Sequence, residues 1–468
     1  MECDICILGA GPAGYTGALR AAREGKRVAL IERDRVGGTC LNRGCIPSKA
    51  LRRCADAFLE AAGAARFGVK LPGEPSFDYT RAAAYRDEVT EKLVAGVASL
   101  LKARRIELVS GEGRVDGPGR VAVLAGDGAV EIKCGHVVIA TGSRPADLPG
   151  IRIDEEMVLS SEGALKLGHV PEKLIVIGGG VIGCEWADLM SCLGSEVTVV
   201  EALPRILLTE DRATARAVQK NLEARGVNFH LGATVAELTA AEGGVRCVLA
   251  GGGKLDADRV IVSVGRRPVT EGLGLSEAGV AIERGAIKVD EGGRTGVAGV
   301  WAAGDVIGPP MLAHAASHEM EVVIDNILGR GRFFDRAAVP AVVFVRPEVA
   351  SVGLLEDAAR ERGIAVEVGR FAYAASGKAL CMGESEGFAK AVVDKHSGLI
   401  LGGTVMGAHA GDLIHELAIA VKRKIKVEDF IEIIHAHPTL SEIVLEAVAD
   451  ARGMAVHKAG RKRGVERE

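Results

Sequence analysis

Apolar positions along the chain fall into two rhythms that alternate. Short runs of four to six are closed by glycines, and longer stretches repeat with a helical period, as in strands that alternate with helices. Asp4 to Leu8 is the first run; it enters Gly9-Ala10-Gly11-Pro12-Ala13-Gly14, a helix through Arg23 and a strand from Arg27 to Ile31 closed by Glu32. Ala50 to Ala65 and Thr80 to Arg104 read as helices, Glu107 to Val123 as short strands with glycine turns, and His136 to Ala140 as an apolar strand. At Lys173 the pattern begins again: strand to Ile177, Gly178-Gly179-Gly180-Val181-Ile182-Gly183, helix through Leu193, strand Glu196 to Val200, then Glu201. From Pro340 the mixture changes to strands and helices of a separate domain, with a helix from Asp412 to Lys422 and a last one reaching about Val456. The pattern predicts an α/β fold with one unit used twice and a third, different domain.

The repeated unit carries chemistry. Gly9, Gly11 and Gly14, and again Gly178, Gly180 and Gly183, let a pyrophosphate approach the backbone at a helix N-terminus. In both copies an acid, Glu32 or Glu201, stands 18 residues past the third glycine, where it takes ribose hydroxyls. One chain therefore holds two nucleotide sites. Glu201 favours the free 2′-hydroxyl of NAD and repels the 2′-phosphate of NADP, although Arg205 lies nearby.

Between the first acid and the first long helix lies Gly37-Gly38-Thr39-Cys40-Leu41-Asn42-Arg43-Gly44-Cys45-Ile46-Pro47-Ser48-Lys49. On a regular helix a five-residue step rotates by about 140°, so the sulfurs of Cys40 and Cys45 could pair only where the turn is distorted. Gly44 and Pro47 are placed to distort it. Thr39 as N-cap would set both cysteines near the positive end of a helix, which favours the thiolate.

At 468 residues, 48% hydrophobic and with a net charge of −4, the chain is an ordinary globular protein of about two to four domains, with no basic groove for nucleic acid or membrane. Its ten cysteines show no zinc-ligand spacing, so no metal is expected. Cys3, Cys6, Cys54, Cys134, Cys184, Cys192, Cys247 and Cys381 are expected as reduced thiols. The N-terminal residues lack the features of a signal or transit peptide, and no apolar run would span a bilayer, so a reducing cytoplasm is expected.

The cysteine segment and the two fingerprints resemble the class I pyridine nucleotide-disulfide oxidoreductases, in detail the dihydrolipoamide dehydrogenases, along nearly the whole chain. The resemblance implies FAD on the first fingerprint and NAD on the second. It sets Cys45 against the flavin, gives Cys40 the exchange with substrate, and places Thr39 and Lys49 at the cofactor, with Glu185 paired to Lys49. Thr141 and Gly142 mark a return to the flavin domain. Gly265 ends the NAD unit, Asp305 binds the ribityl chain, and Ala313 starts the next helix. His437 is the acid-base residue and Glu442 its partner carboxylate. The implied domains are 1–147 and 271–337 for FAD, 148–270 for NAD, and 338–468 for a C-terminal α+β dimerisation domain. The implied reaction oxidises dihydrolipoyl groups of a 2-oxoacid dehydrogenase or glycine-cleavage carrier and reduces NAD. Of the alternatives, mercuric reductase would carry a C-terminal cysteine pair, whereas the last cysteine is Cys381; glutathione reductase would prefer NADP, and the soluble transhydrogenases lack the cysteine pair. A non-catalytic flavin-binding subunit would not need Cys40, Cys45, His437 and Glu442 together. Val269, Met320 and His409 depart from the family pattern, and Arg461-Lys462-Arg463 form a basic, solvated tail.

Overall fold

A computed structural model describes residues 1–125, 128–241 and 243–459. The first unit contains β1 (Glu2–Leu8), α1 (Pro12–Arg23), β2 (Val28–Glu32), α2 (Gly38–Arg43), α3 (Cys45–Ala62), α4 (Tyr79–Ala103), β3 (Glu107–Ser110), β4 (Glu112–Val115), β5 (Arg120–Ala125) and β6 (Gly128–Ile139). β1 runs parallel to β2 and β6, and β3 extends the sheet beside β2, while β4 and β5 fold back antiparallel on β6. Ile5, Ile7, Leu8, Leu30 and Ile31 are buried, as the near-continuous apolar runs of a sheet covered on both faces require.

A short β7 (Ser143–Pro145) leads to the second unit: β8 (Val158–Ser160), α5 (Ser161–Ala164), β9 (Lys173–Ile177), α6 (Val181–Cys192), β10 (Glu196–Glu201), α7 (Arg212–Ala224), β11 (Asn228–Leu231), the meander β12 (Val235–Ala241), β13 (Gly244–Leu249) and β14 (Lys254–Ala257), then β15 (Arg259–Val262). Its parallel sheet has the order β11-β10-β9-β15-β8. β16 (Arg266–Pro268) then pairs antiparallel with β7, so the two connections between the units run side by side. After the hairpin β17 (Ile282–Glu283) and β18 (Ala286–Ile287), β19 (Val300–Ala302) lies parallel to β6, completing the first sheet with residues that follow the second unit. α8 (Ala313–Ile327) packs on α1 so closely that a Cβ at Gly17 would lie 2.4 Å from Cγ of the buried Met320.

The third unit comprises β20 (Ala341–Val343), β21 (Val349–Gly353), α9 (Glu356–Glu361), β22 (Val366–Ala372), α10 (Gly377–Met382), β23 (Phe388–Asp394), β24 (Ile400–Met406), α11 (Ala410–Arg423), α12 (Val427–Ile431) and α13 (Ser441–Ala451). Its antiparallel sheet, β20-β21-β24-β23-β22, carries α11 and α13. α13 stops five residues short of Val456. Gly453 takes φ +68°, and the Glu446 carboxylate accepts the N–H groups of Val456 and His457, turning the chain back. The basic residues Arg461, Lys462 and Arg463 lie outside the described residues.

Buried ion pairs fasten the units together. Asp188 of α6, fully buried, is held by Arg52 of α3 and by Arg225. Lys390 of β23 pairs with Asp211 at the start of α7. Among the described residues no helix is long and apolar enough to cross a membrane.

Candidate active site

Two loops are built alike. α1 and α6 begin at Gly11 and Gly180, neither with a side-chain cap, so their first-turn N–H groups are left to a ligand or solvent. A Cβ at Gly14 would lie 1.7 Å from Gly9 O, and one at Gly183 would lie 1.9 Å from Gly178 O, which is why the third glycine is needed for helix and strand end to touch. The Glu32 carboxylate accepts the N–H groups of Ala10 (2.8 Å) and Asp34 (2.9 Å), and Glu201 accepts those of Gly179 (2.6 Å) and Leu203 (2.7 Å). Arg205 donates to the carbonyls of Leu207, Leu208 and Glu210 at 2.9–3.0 Å. It is thereby committed to backbone and not to the Glu201 carboxylate. Uncapped N-termini, glycine backbones and ribose-facing acids fit a dinucleotide at each loop.

The two connections between the units bring further expected residues to the first loop's side. Thr141 Oγ1 donates to Val269 O (2.7 Å), and Gly142 O accepts the Val269 N–H (2.9 Å). Val269, departing from the family pattern, is buried and serves through its backbone. Asp305 starts a short 3-10 turn after β19 and accepts the Ser143 hydroxyl at 2.5 Å. Gly265 lies directly before β16, and Ala313 is the first residue of α8, whose N-terminus has no side-chain cap. Two groups here were not anticipated: Ser143, and Glu319 of α8, which accepts the Gly304 N–H and pairs with Arg336. An acid among the apolar residues of α8 was the available signal.

The cysteines sit where two helices abut. α2 is capped by Gly37 (φ +95°), not by Thr39, which lies inside the helix. The reason is tertiary: Gly38 (φ +56°) presses onto the first loop, where a Cβ would come within 2.6 Å of Gly11 Cα, so the turn forms earlier than the threonine suggested. α2 breaks at Gly44 (φ −146°, ψ −112°), and Cys45 is the first residue of the 18-residue α3. Gly44 supplies the distortion; Pro47 sits in the first turn of α3, which tolerates proline. All ten cysteines are free thiols. Cys45 is drawn down to about 7 by the hydrogen bond from Cys40, against partial desolvation and with help from the charge of Lys49. Cys40, as the donor and through burial, is pushed well above the ordinary thiol range.

One turn beyond Cys45, Lys49 Nζ lies 2.8 Å from Glu185 Oε2. Phe344, in the segment after β20, donates its N–H to Glu185 Oε1 (3.0 Å) and holds its ring 4.5 Å from the Lys49 ammonium. Phe344 was not foreseen, because in sequence it is one more apolar residue beside a strand.

His437 Nδ1 lies 2.9 Å from Glu442 Oε1, and Glu442 Oε2 accepts the Thr439 N–H at 2.9 Å. Partial burial raises the Glu442 carboxyl, but the Thr439 N–H and His437 hold it below its usual range. The His437 ring is 78% exposed, and no hydrogen bond among the described residues joins it to Cys40 or Cys45. Two residues before it, His435 is 7% exposed, with Nε2 3.1 Å from Glu416 Oε2; it pins a loop that is otherwise open to solvent. The departure at His409 falls at the N-cap of α11, with φ +59°.

Residues 3–319 match the pyridine nucleotide-disulphide oxidoreductase domain, and residues 339–448 match the dimerisation domain of that family. The chain is 40% identical over 461 residues to dihydrolipoyl dehydrogenase of Geobacillus stearothermophilus, covering 98% of each. It is 42% identical to that of Thermus scotoductus, covering 97% of this chain and 98% of the relative. Among solved structures, LpdA from Mycobacterium tuberculosis matches with a TM-score of 0.90 at 29% identity, over 95% of this chain and 98% of that one. The HOCl-induced flavoprotein disulfide reductase RclA from Escherichia coli matches at 0.86 and 30% identity, over 95% and 99%. With its two matched domains and its full-length relatives, the chain belongs to the pyridine nucleotide-disulphide oxidoreductases.

Proposed function

We propose that the chain is an NAD-dependent dihydrolipoyl dehydrogenase that works as a homodimer. The observation that carries this reading is the Cys40–Cys45 pair at the junction of α2 and α3, where Gly38 presses on the first glycine loop, in a chain whose second loop ends in Glu201 with the nearby Arg205 committed to backbone carbonyls. The first loop, Glu32, Thr39, Lys49, Thr141, Gly142, Asp305 and Ala313 would hold FAD. Gly178, Gly180, Gly183, Glu201 and Gly265 would hold NAD. Bound FAD supplies a two-electron relay between the sulfur pair and the nicotinamide.

The chain's own groups then divide the sulfur chemistry. A dihydrolipoyl thiol, losing its proton to His437 of the partner subunit, attacks Cys40 in the oxidised pair. The S–S bond breaks and Cys45 leaves as a thiolate, the form its surroundings stabilise relative to an ordinary thiol. The second dihydrolipoyl thiol attacks the mixed disulfide at the lipoyl sulfur, releasing Cys40 as a thiol and lipoyl disulfide as product. Two electrons have entered the protein, and the net reaction converts dihydrolipoyl and NAD⁺ to lipoyl, NADH and a proton. Glu442 orients the His437 ring through Nδ1, leaving Nε2 for the substrate proton.

The partner in this reading is a lipoyl-bearing acyltransferase or glycine-cleavage carrier, met in a reducing cytoplasm. The division into 1–147 with 271–337, 148–270, and 338–468 belongs to the same reading and is supported by β19 joining the first sheet. Steady-state rates with dihydrolipoamide and NAD, compared with glutathione disulfide and Hg(II) reduction by NADH or NADPH, test it. Dihydrolipoamide oxidation should exceed the other reactions by orders of magnitude; a faster rate with either alternative substrate refutes the assignment.

A further inference from the structure

One ion pair is shared by all three units. Lys49 stands on α3, Glu185 on α6, and Phe344 in the segment that follows β20. Each unit supplies one member, and each contact has a definite geometry: 2.8 Å from the ammonium to Glu185 Oε2, 3.0 Å from the Phe344 N–H to Glu185 Oε1, and 4.5 Å from the ammonium to the ring centroid. The Phe344 N–H occupies one carboxylate oxygen and so leaves the other for Lys49. The ring face attracts the same ammonium from another side. A lysine has a long, flexible stem, and a single ion pair fixes its distance better than its direction; a second contact fixes the direction.

The direction matters because Lys49 lies four residues beyond Cys45, on the same helix face. The charged groups around Cys45 are Lys49, which favours its thiolate, and Glu185, which opposes it. Arg52, on the next turn, is committed to Asp56 and Asp188. We infer that Phe344 is a positioning residue for the redox pair: its ring and its N–H together hold the Lys49 ammonium where it stabilises the Cys45 thiolate. The third unit thereby sets the charge balance at cysteines carried by the first. This rests on the proposed role of Cys45 at the flavin.

The test uses the full-length, FAD-loaded protein reduced by two electrons. The long-wavelength charge-transfer absorbance is titrated with pH in wild type, Phe344→Leu, Phe344→Met and Phe344→Tyr. Alkylation of Cys45 by iodoacetamide, located by peptide mapping, gives a second readout that does not depend on the flavin. Both non-aromatic variants should raise the midpoint by about half a unit to one unit, leaving about twofold to fivefold less thiolate at pH 7. Phe344→Tyr, which keeps the ring, should restore the wild-type midpoint. Midpoints in Phe344→Leu and Phe344→Met equal to wild type, or a Phe344→Tyr shift as large as theirs, overturn the inference. Failure of the underlying reading looks different: the wild-type band would then persist in Cys45→Ser.

Discussion

Replacing Cys40 by alanine removes the group that does most to draw Cys45 down from the ordinary 9.0 to about 7. Cys45 is solvent-exposed, so screening by water takes up part of this effect. A hydrogen bond to a charged acceptor contributes about 1.5–3 kcal/mol, so losing it should return the Cys45 midpoint to about 8–9 even with Lys49 in place. The sign follows from the direction of the shift. Because the folded protein holds this thiol below its ordinary value, the thiolate is present above about pH 7 and disappears as pH falls through it. In Cys40→Ala it should already disappear below about 8–9, so that at pH 7 the thiolate falls from about one half to between about 1% and 10%. Cys40→Ser keeps an O–H donor and should hold its midpoint closer to wild type. Neither variant can form the disulfide, so the charge-transfer absorbance of the oxidised, FAD-loaded protein reports Cys45 directly, and iodoacetamide alkylation rates give a second titration. Equal midpoints for Cys40→Ala and Cys40→Ser would refute the reasoning, since the donor would then be irrelevant.

Glu201 should favour NAD over NADP by at least about tenfold in kcat/KM, one good charged contact being worth about 1.5–3 kcal/mol; equal values for the two cofactors would sink this. Asp188→Asn should leave the half-buried guanidiniums of Arg52 and Arg225 without their buried carboxylate and lower stability by about 3 kcal/mol. A urea midpoint within error of wild type would show that solvent compensates them. A Cys40→Ser homodimer, which cannot form the disulfide, should be nearly inactive, and a His437→Gln homodimer should be about 10²–10⁴-fold slower than wild type. Co-refolded mixed dimers, which regain one intact site, should recover up to half the wild-type rate, whereas mixed dimers that form and stay inactive would mean that each site is built within one chain.

What could be read from the sequence was local in character. Gly9 to Glu32 and Gly178 to Glu201 each fold as one strand–helix–strand turn, so their spacing already encodes the contact between glycine loop and acid. Gly44 announced a break between the cysteines for the same reason. Thr39 misled because a cap is a local guess, and here Gly38 packing on Gly11 moved the helix start. The Lys49–Glu185 pair spans 136 residues and was legible only through the family resemblance. The Phe344 ring has no chemical signature of its own, so its place over Lys49 exists only in the folded chain.

The sulfur pair and the histidine pair are each complete as local structures, yet one chain does not join them by any hydrogen bond among its described residues. The loop that carries His437 also exposes Ile433 at 50% and Ile434 at 96%, while His435 fixes it to Glu416. Apolar side chains presented this openly on an anchored loop lose contact with water when a second copy covers them, at about 25 cal/mol per Å² removed. In the proposed homodimer the burial that stabilises association and the delivery of a proton acceptor to Cys40 are therefore one event. Assembly and catalysis should fail together: Ile434→Asp should weaken the dimer in sedimentation and reduce dihydrolipoamide oxidation in proportion to the monomer formed, with the Cys45 titration unchanged. A monomer that retains full activity would separate the two and refute the coupling.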